Sequence, residues 1–141
     1  MINKIIDGII MAINAEFGDD CEIYTENIEQ GLQEPCFSVI CLNPTIEQFL
    51  GRRYFRSNQF CIHYFPSSKD KRFECNEVMD RLFRCLEIIT VDGDLVRGTS
   101  IHSETDDGVF HFFVNYDMFT YQSTQDEQPM EILEVKVDAK G

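Results

Sequence analysis

A stripe of isoleucines at helical spacing near the start of the chain restricts the possible folds more than any other feature. The stripe consists of Ile2, Ile5, Ile6, Ile9, Ile10 and Ile13, and it ends at Phe17. This spacing predicts an amphipathic helix over residues 2–17 with one broad apolar face, closed by Gly18. Isoleucine is a modest helix former and Gly8 lies inside the segment, so the helix must be stabilised by tertiary packing.

A second stripe of helical period predicts another amphipathic helix over residues 70–89, with Ser67 and Ser68 as cap candidates. Its apolar members are Phe73, Val78, Met79, Leu82, Phe83, Leu86 and Ile89. Because each helix has one apolar face, both need a further layer of structure that covers them.

Between the helices, the pattern predicts strands at residues 21–28, 36–42 and 54–65. Residues 36–42 are almost continuously apolar, which is typical of a central strand covered on both faces. Asn43-Pro44 is expected to end this strand, and a polar connection at 43–53 to follow it.

After the second helix, strands are predicted at residues 95–103, 109–121 and 131–137. Turns are expected at Asp92-Gly93 and at Asp106-Asp107-Gly108, and residues 122–130 form a polar link. In the long strand, one set of alternate residues is the more apolar and is expected to face the core: Phe110, Phe112, Val114, Tyr116, Met118 and Thr120.

The order of elements is therefore α-β-β-β-α-β-β-β, in one α+β domain over residues 1–137 with a frayed tail at 138–141. We expect a two-layer sandwich in which both helices pack on one face of an antiparallel or mixed sheet. Hydrophobic residues make up 43% of the 141 residues, enough for a core without disulfides or metal.

The six cysteines are interpreted as free thiols in a reducing cytoplasm. They lie in apolar runs, no Cys-x-x-Cys spacing occurs, and the sequence has no pattern typical of a signal peptide. No apolar run approaches the roughly 20 residues that a membrane-spanning helix needs.

The formal charge is −13, which disfavours general nucleic-acid binding because the surface repels phosphates. Residues 52–97 differ from the rest, with nine basic and seven acidic residues. This asymmetry suits head-to-tail contact between copies, although a basic turn beside an ordinary helix face explains it equally well.

No catalytic residue, cofactor site or metal site is predicted, and we expect no enzyme. The residues His63, His102 and His111 lack the spacing of a zinc site, and His102 and His111 are interpreted as a cross-strand surface pair beside the predicted hairpin turn. The acidic pairs lie at predicted turns, where Asp is a turn former.

One cluster has a distinctive composition: Arg52, Arg53, Tyr54, Phe55 and Arg56 combine three cations with two aromatic rings. Arginine and tyrosine are enriched at protein interfaces, and guanidinium groups bind carboxylates in a bidentate manner. We interpret the cluster as a protein interface; plain surface and single-stranded nucleic-acid binding are the alternatives.

Three segments carry a family resemblance over about residues 1–121. They are Gln33-Glu34-Pro35-Cys36-Phe37, Arg52-Arg53-Tyr54-Phe55-Arg56 and Phe60-Cys61-Ile62-His63-Tyr64-Phe65-Pro66. With the amphipathic N-terminal helix, this layout resembles the phage tail terminator (tail completion) family of prophages and phage tail-like particles.

The resemblance implies a structural protein that forms a ring, commonly a hexamer, on the head-proximal end of the tail tube. Its partners would be tail-tube and head-connector proteins, with no nucleic acid and no membrane. It would be cytoplasmic during assembly and then part of the virion or tail-like particle. Arg52, Arg53 and Arg56 would contact acidic residues of a neighbouring subunit or of the tube, and residues 122–141 would be an arm to a neighbour or a simple tail.

The alternative from the residues themselves is a binding module for a small ligand or an unknown protein partner. In that case the aromatic residues of 109–121 would line an apolar pocket instead of filling the core.

Overall fold

The computed structural model describes residues 1–18, 21–25, 33–106, 109–121 and the backbone of 131–132. The elements in chain order are α1 (Ile2–Phe17), β1 (Glu22–Tyr24), β2 (Cys36–Leu50), β3 (Arg53–Phe65), α2 (Lys71–Leu86), β4 (Ile88–Val91), β5 (Asp94–Arg97), β6 (Thr99–Asp106), β7 (Val109–Asn115), β8 (Met118–Tyr121) and β9 (Glu131–Ile132). The predicted α+β class and order are confirmed, and the strands after α2 are more finely divided than the sequence indicates.

The large sheet is mixed, with strand order β1-β2-β3-β7-β6, and β8 continues beside β3 and pairs with β9. β1 is parallel to β2, and the other pairs are antiparallel. β4 and β5 form a separate hairpin that packs against α1. Neither described helix is long and apolar enough to cross a bilayer.

The core lies between the two helices and one face of the sheet. Along β3, Phe60, Ile62 and Tyr64 point to this face, and their register partners on β2 and β7 are apolar too. The wholly or nearly enclosed side chains of the helices and the sheet include Ile5, Ile9, Ile13, Phe37, Val39, Leu82, Leu86, Phe110, Phe112 and Val114. The apolar face predicted for residues 109–121 is confirmed, since every one of its six members is buried.

α1 is held against β4 at very short range, and Gly8 makes this contact possible. A Cβ atom added at Gly8 would lie 2.5 Å from the carbonyl oxygen of Thr90. The glycine that weakens the helical prediction is therefore required by packing, because any larger residue would push α1 away from β4.

α2 begins one residue later than predicted, and its cap is not one of the serines. The carboxylate of Asp70 accepts a hydrogen bond from the Phe73 N–H at 3.2 Å. The N–H groups of Ser67 and Ser68 instead donate to the carboxylate of Glu74, at 3.1 and 2.8 Å. The carboxylate of Glu74 also accepts a hydrogen bond from the hydroxyl of Tyr64, which connects the start of α2 to the end of β3.

The predicted extension of α2 to residue 89 is wrong, because the last carbonyl groups of the helix accept hydrogen bonds from distant residues and not from a further helical turn. The Tyr116 hydroxyl donates to the carbonyl oxygen of Leu86 at 2.5 Å, and the Gly98 N–H donates to that of Glu87 at 2.7 Å. The chain then turns into β4, whose alternate residues Ile89 and Val91 are buried.

The turn predicted at Asp92-Gly93 is confirmed and connects β4 to β5. Both residues have positive φ, 53° and 89°, as a two-residue type I′ hairpin requires. A turn of this type needs a strand on each side, so the Asp-Gly pair was the signal from which β4 could have been predicted.

The predicted end of β2 at Asn43-Pro44 is also wrong. The register between β2 and β3 shifts between Leu42 and Thr45, and Asn43 has a φ of 44°. The Asn-Pro pair therefore lies in a β-bulge, where a proline costs no ladder hydrogen bond. Pairing resumes and continues to Leu50, so the predicted polar connection at 43–53 is mostly strand.

Two other predicted strands are divided. The strand predicted at 95–103 is broken at Gly98, where a Cβ atom would lie 2.7 Å from Cγ2 of Val114. The strand predicted at 109–121 is interrupted at 116–117, although Tyr116 still donates its N–H to the Asn58 carbonyl oxygen at 2.9 Å. The strand predicted at 21–28 is present at Glu22–Tyr24. The predictions for 26–28, 107–108, 122–130 and 133–141 lie outside the described residues.

We predict that Gly8→Ala destabilises the fold even though alanine is the better helix former by about 1 kcal/mol. The new methyl group would displace the Thr90 backbone, and overpacking of this kind costs roughly 1–3 kcal/mol. Urea denaturation followed by circular dichroism measures the change. Ala15→Gly, at an exposed position of the same helix, serves as the control for propensity alone. A more stable Gly8→Ala variant would contradict the close contact.

We predict that Glu74 stabilises the fold in a pH-dependent manner. Burial raises the pKa of Glu74, but hydrogen bonds from Ser68, Tyr64 and Ser67 outweigh this effect and hold the pKa below its ordinary value. A carboxylate with a lowered folded-state pKa stabilises the fold above its unfolded pKa of about 4.3 and loses this contribution as the pH falls through the folded value.

Glu74→Gln should therefore lower the free energy of unfolding by about 1 kcal/mol at pH 7, given the partial exposure of the carboxylate. The difference from the wild type should shrink as the pH is lowered below about 4. Urea titrations at several pH values measure this, with the exposed Glu77→Gln as the control. A difference that does not depend on pH would argue against the ionised contact.

Candidate protein interface

The outer end of the large sheet extends past the part covered by the core. We call it the distal sheet: residues 45–50 of β2, residues 53–57 of β3, and β8. β8 pairs with β3 from Arg53 opposite Tyr121 to Arg56 opposite Met118. All residues from 43 to 50 are exposed, in contrast to the buried first half of β2.

Three phenylalanines and one arginine form a cluster on the face of the distal sheet that points away from the helices. The ring of Phe119 lies 5.1 Å from that of Phe49 and 5.2 Å from that of Phe55, centroid to centroid. The guanidinium carbon of Arg53 lies 4.8 Å from the ring centroid of Phe119 and 5.3 Å from that of Phe49. Cation–π contacts of this kind contribute about 0.5–2 kcal/mol and orient the guanidinium group.

Large apolar side chains are exposed at the edge of this cluster. The exposed fractions are 50% for Ile46, 58% for Phe49 and 67% for Leu50. A cleft of about 330 Å³ lies beside them, lined by Glu47, Gln48, Phe49, Phe55 and Phe119. Single exposed apolar residues are common, but three within five positions next to an aromatic cleft have the composition of a protein interface.

The five residues that the sequence singled out lie close together in the chain but point in different directions. Arg52 is exposed in the turn between β2 and β3, and Arg53 and Phe55 belong to the outer cluster. Tyr54 and Arg56 alternate to the opposite face, the one on the helix side.

Arg56 is half-buried, and burial lowers the pKa of its guanidinium group. It also lies near the start of α1, where burial, Arg56 and Lys4 together lower the pKa of the Met1 amino group. The Nε atoms of Arg53 and Arg56 have no hydrogen-bond partner among the described residues. The three arginines are therefore not one uniform surface patch, and Arg52 is the most accessible of them.

Sequence reasoning missed the apolar part of this surface. The sequence pattern places Ile46, Phe49 and Leu50 in a polar connection and Phe119 on the solvent-facing side of a strand. Three large apolar residues within a segment interpreted as polar were the available signal. Residues 43–57 contain three arginines and one acid, so this end of the molecule is cationic in a chain of charge −13.

The aromatic residues of the strand predicted at 109–121 mostly fill the core. Phe112 and Tyr116 are wholly enclosed, and Phe110 is 4% exposed. This arrangement gives the ligand-binding alternative no support from the middle of the strand. Of the two phenylalanines on the outer face, Phe113 stacks with His102, and Phe119 lines the cleft of the distal sheet.

The fold and this surface define a small α+β sandwich protein with an exposed apolar and cationic sheet end. The chain belongs to the phage tail terminator protein family, whose sequence pattern matches residues 4–128. Membership makes it a protein of the phage tail and implies contacts with other phage tail or head proteins.

No curated protein matches the chain. One solved structure, titled only with a sequence identifier, has 17% identity to the chain and a TM-score of 0.44, covering 82% of this chain and 94% of its own. With so low a TM-score, this resemblance supports no conclusion about the chain.

We predict that reversing the charges of the three arginines one at a time separates their roles in stability. Arg53→Glu loses the contacts with two rings, and Arg56→Glu places a carboxylate in a half-buried position, so each should lower the free energy of unfolding by about 1–3 kcal/mol. Arg52→Glu, at an exposed turn, should change it by less than about 0.5 kcal/mol. Urea denaturation measures all three, and a loss for Arg52→Glu as large as for Arg53→Glu would contradict the prediction that only the ring contacts and the half-buried position affect stability.

Proposed function

We propose that the chain ends the phage tail tube by forming a ring on it and joins the tail to the head connector. Family membership supports a role in the tail. The observation that carries the finer proposal is the distal sheet, which presents exposed apolar residues beside an aromatic cleft at the end of a rigid sheet. The ring is expected to contain six copies.

Charge supports contact between copies of the chain. The distal sheet is cationic, whereas the remainder of the chain is acidic. Each copy therefore offers a negative surface to the cationic sheet end of the next copy, and contacts of this head-to-tail type close into a ring when the rotation between copies is suitable. The exposed Arg52 is the cation best placed for such contacts, in line with the role proposed for Arg52, Arg53, Tyr54, Phe55 and Arg56.

The apolar residues provide the main part of the interface in this proposal. Ile46, Phe49 and Leu50 are exposed in the single chain and would be removed from water in the ring. Burying a side chain of this size contributes about 1.5–3 kcal/mol. The protein then acts through assembly and not through catalysis, first in the cytoplasm and afterwards in the virion or tail-like particle.

We predict that Phe49→Ser and Leu50→Ser each weaken ring formation at least tenfold, because one large buried apolar side chain contributes more than the 1.4 kcal/mol that corresponds to a factor of ten. Light scattering over a concentration series measures the mass of the oligomers, with and without tail-tube protein. Electron microscopy of assembled tubes shows whether their growth is stopped.

Matched controls exist elsewhere on the surface. Phe73 is 62% exposed on α2 and Leu95 is 72% exposed on the β4–β5 hairpin, so Phe73→Ser and Leu95→Ser remove similar side chains at similar exposure. These controls should assemble and stop tubes as the wild type does. A wild-type protein that stays monomeric with and without tube protein, or distal variants that assemble normally, would refute the proposal.

A further inference from the structure

The face of the large sheet that points away from the helices carries a compact group of metal-binding side chains. Cys61, His63 and His111 place one donor atom each within 4.8 Å of the other two. Cys61 Sγ lies 3.8 Å from His111 Nδ1, and the two imidazole rings are 4.4 Å apart at an angle of 88°. None of these residues belongs to the distal sheet, and family membership assigns them no role.

The group is built by strand register. His63 on β3 lies directly opposite His111 on β7, and Cys61 lies two residues before His63 on the same face. These strands are in the middle of the sheet, so the backbone that carries the donors is rigid. Cys61 is 3% exposed, and both histidines are half-buried, which partly shields the group from water.

The distances suit a tetrahedral Zn²⁺ ion. Bonds of about 2.0–2.3 Å to nitrogen and sulfur separate neighbouring ligand atoms by roughly 3.3–3.8 Å. The distance from Cys61 Sγ to His111 Nδ1, 3.8 Å, is at the upper end of this range, and the three ligand atoms lie within 4.8 Å of one another. Two imidazoles and a thiolate are a ligand set that Zn²⁺ accepts, with a fourth position left for water.

One carboxylate close to the group would attract a cation. Glu104 on β6 is the register partner of His111, so its carboxylate is on the same face of the sheet. Burial and, to a smaller extent, Glu104 raise the pKa of the Cys61 thiol to about 11. Burial and, to a smaller extent, the neighbouring His111 lower the pKa of His63. Metal binding would replace the thiol proton.

We propose that Cys61, His63 and His111 bind one Zn²⁺ ion, which crosslinks β3 and β7 on the sheet face that the helices do not cover. This differs from the sequence-based expectation of no metal site, which paired His111 with His102. In the structure, the ring of His102 stacks on Phe113 at 4.8 Å, and its Nδ1 lies 2.8 Å from the Ser100 carbonyl oxygen.

The test uses the full chain, stripped of metal and kept in a non-thiol reductant. Titration with Zn²⁺ should show one ion per chain and raise the melting temperature by about 10 °C at hundredfold excess over Kd. Co²⁺ in place of Zn²⁺ should give a visible spectrum of tetrahedral type with a thiolate-to-cobalt charge-transfer band.

Variants separate this site from adventitious binding. His63→Gln combined with His111→Gln should abolish the Zn²⁺-dependent rise in melting temperature, whereas His102→Gln should leave it unchanged. Cys61→Ser should remove the charge-transfer band. Should Cys61→Ser fail to fold, the histidine variants still decide, because their melting temperatures in EDTA show whether they are folded. No stoichiometric binding to the wild type, or a full response in the double variant, would overturn the proposal.

Discussion

The structure depends on the unbroken side-chain alternation of β3. This strand pairs with β2 on one side and with β7 and then β8 on the other, so its two faces are kept distinct over thirteen residues. On one face of β3, Phe60, Ile62 and Tyr64 pack in the core. On the opposite face lie Cys61 and His63. At its outer end the same alternation separates Arg53 and Phe55 from Tyr54 and Arg56. A slip of one residue would exchange all of these roles.

Much of the fold could be predicted from the sequence because its elements have strong periodicity. The isoleucines of α1 and the alternate apolar residues of 109–121 each form a single uninterrupted pattern, and both predictions are confirmed. The end of α2 could not be predicted this way, since it is set by the Tyr116 hydroxyl and the Gly98 N–H, which come from distant parts of the chain. The long β2 was missed because Asn43-Pro44 ends a strand in most settings but lies in a bulge here.

The arginine cluster in the sequence predicts the position of the candidate interface. The apolar residues that form much of its surface cannot be recognised from the neighbouring sequence alone. Clustering of Phe49 with Phe119 depends on β8 pairing with β3, which brings together residues 70 positions apart. The Cys61, His63 and His111 group has the same origin, because only the pairing of β3 with β7 reveals it. Sequence composition identifies side chains that can bind a partner or a metal ion. The register of strand pairing determines which of these side chains are in contact.

The bulge at Asn43 separates two parts of β2 that have different constraints. It divides β2 into an inner half, fixed by burial, and an outer half whose side chains are exposed. Because the register restarts there, insertions and substitutions beyond the bulge leave the pairing of residues 36–42 intact. The outer half of β2 can therefore change without disturbing the interior, so the requirements of folding and those of surface contact fall on different residues of one strand.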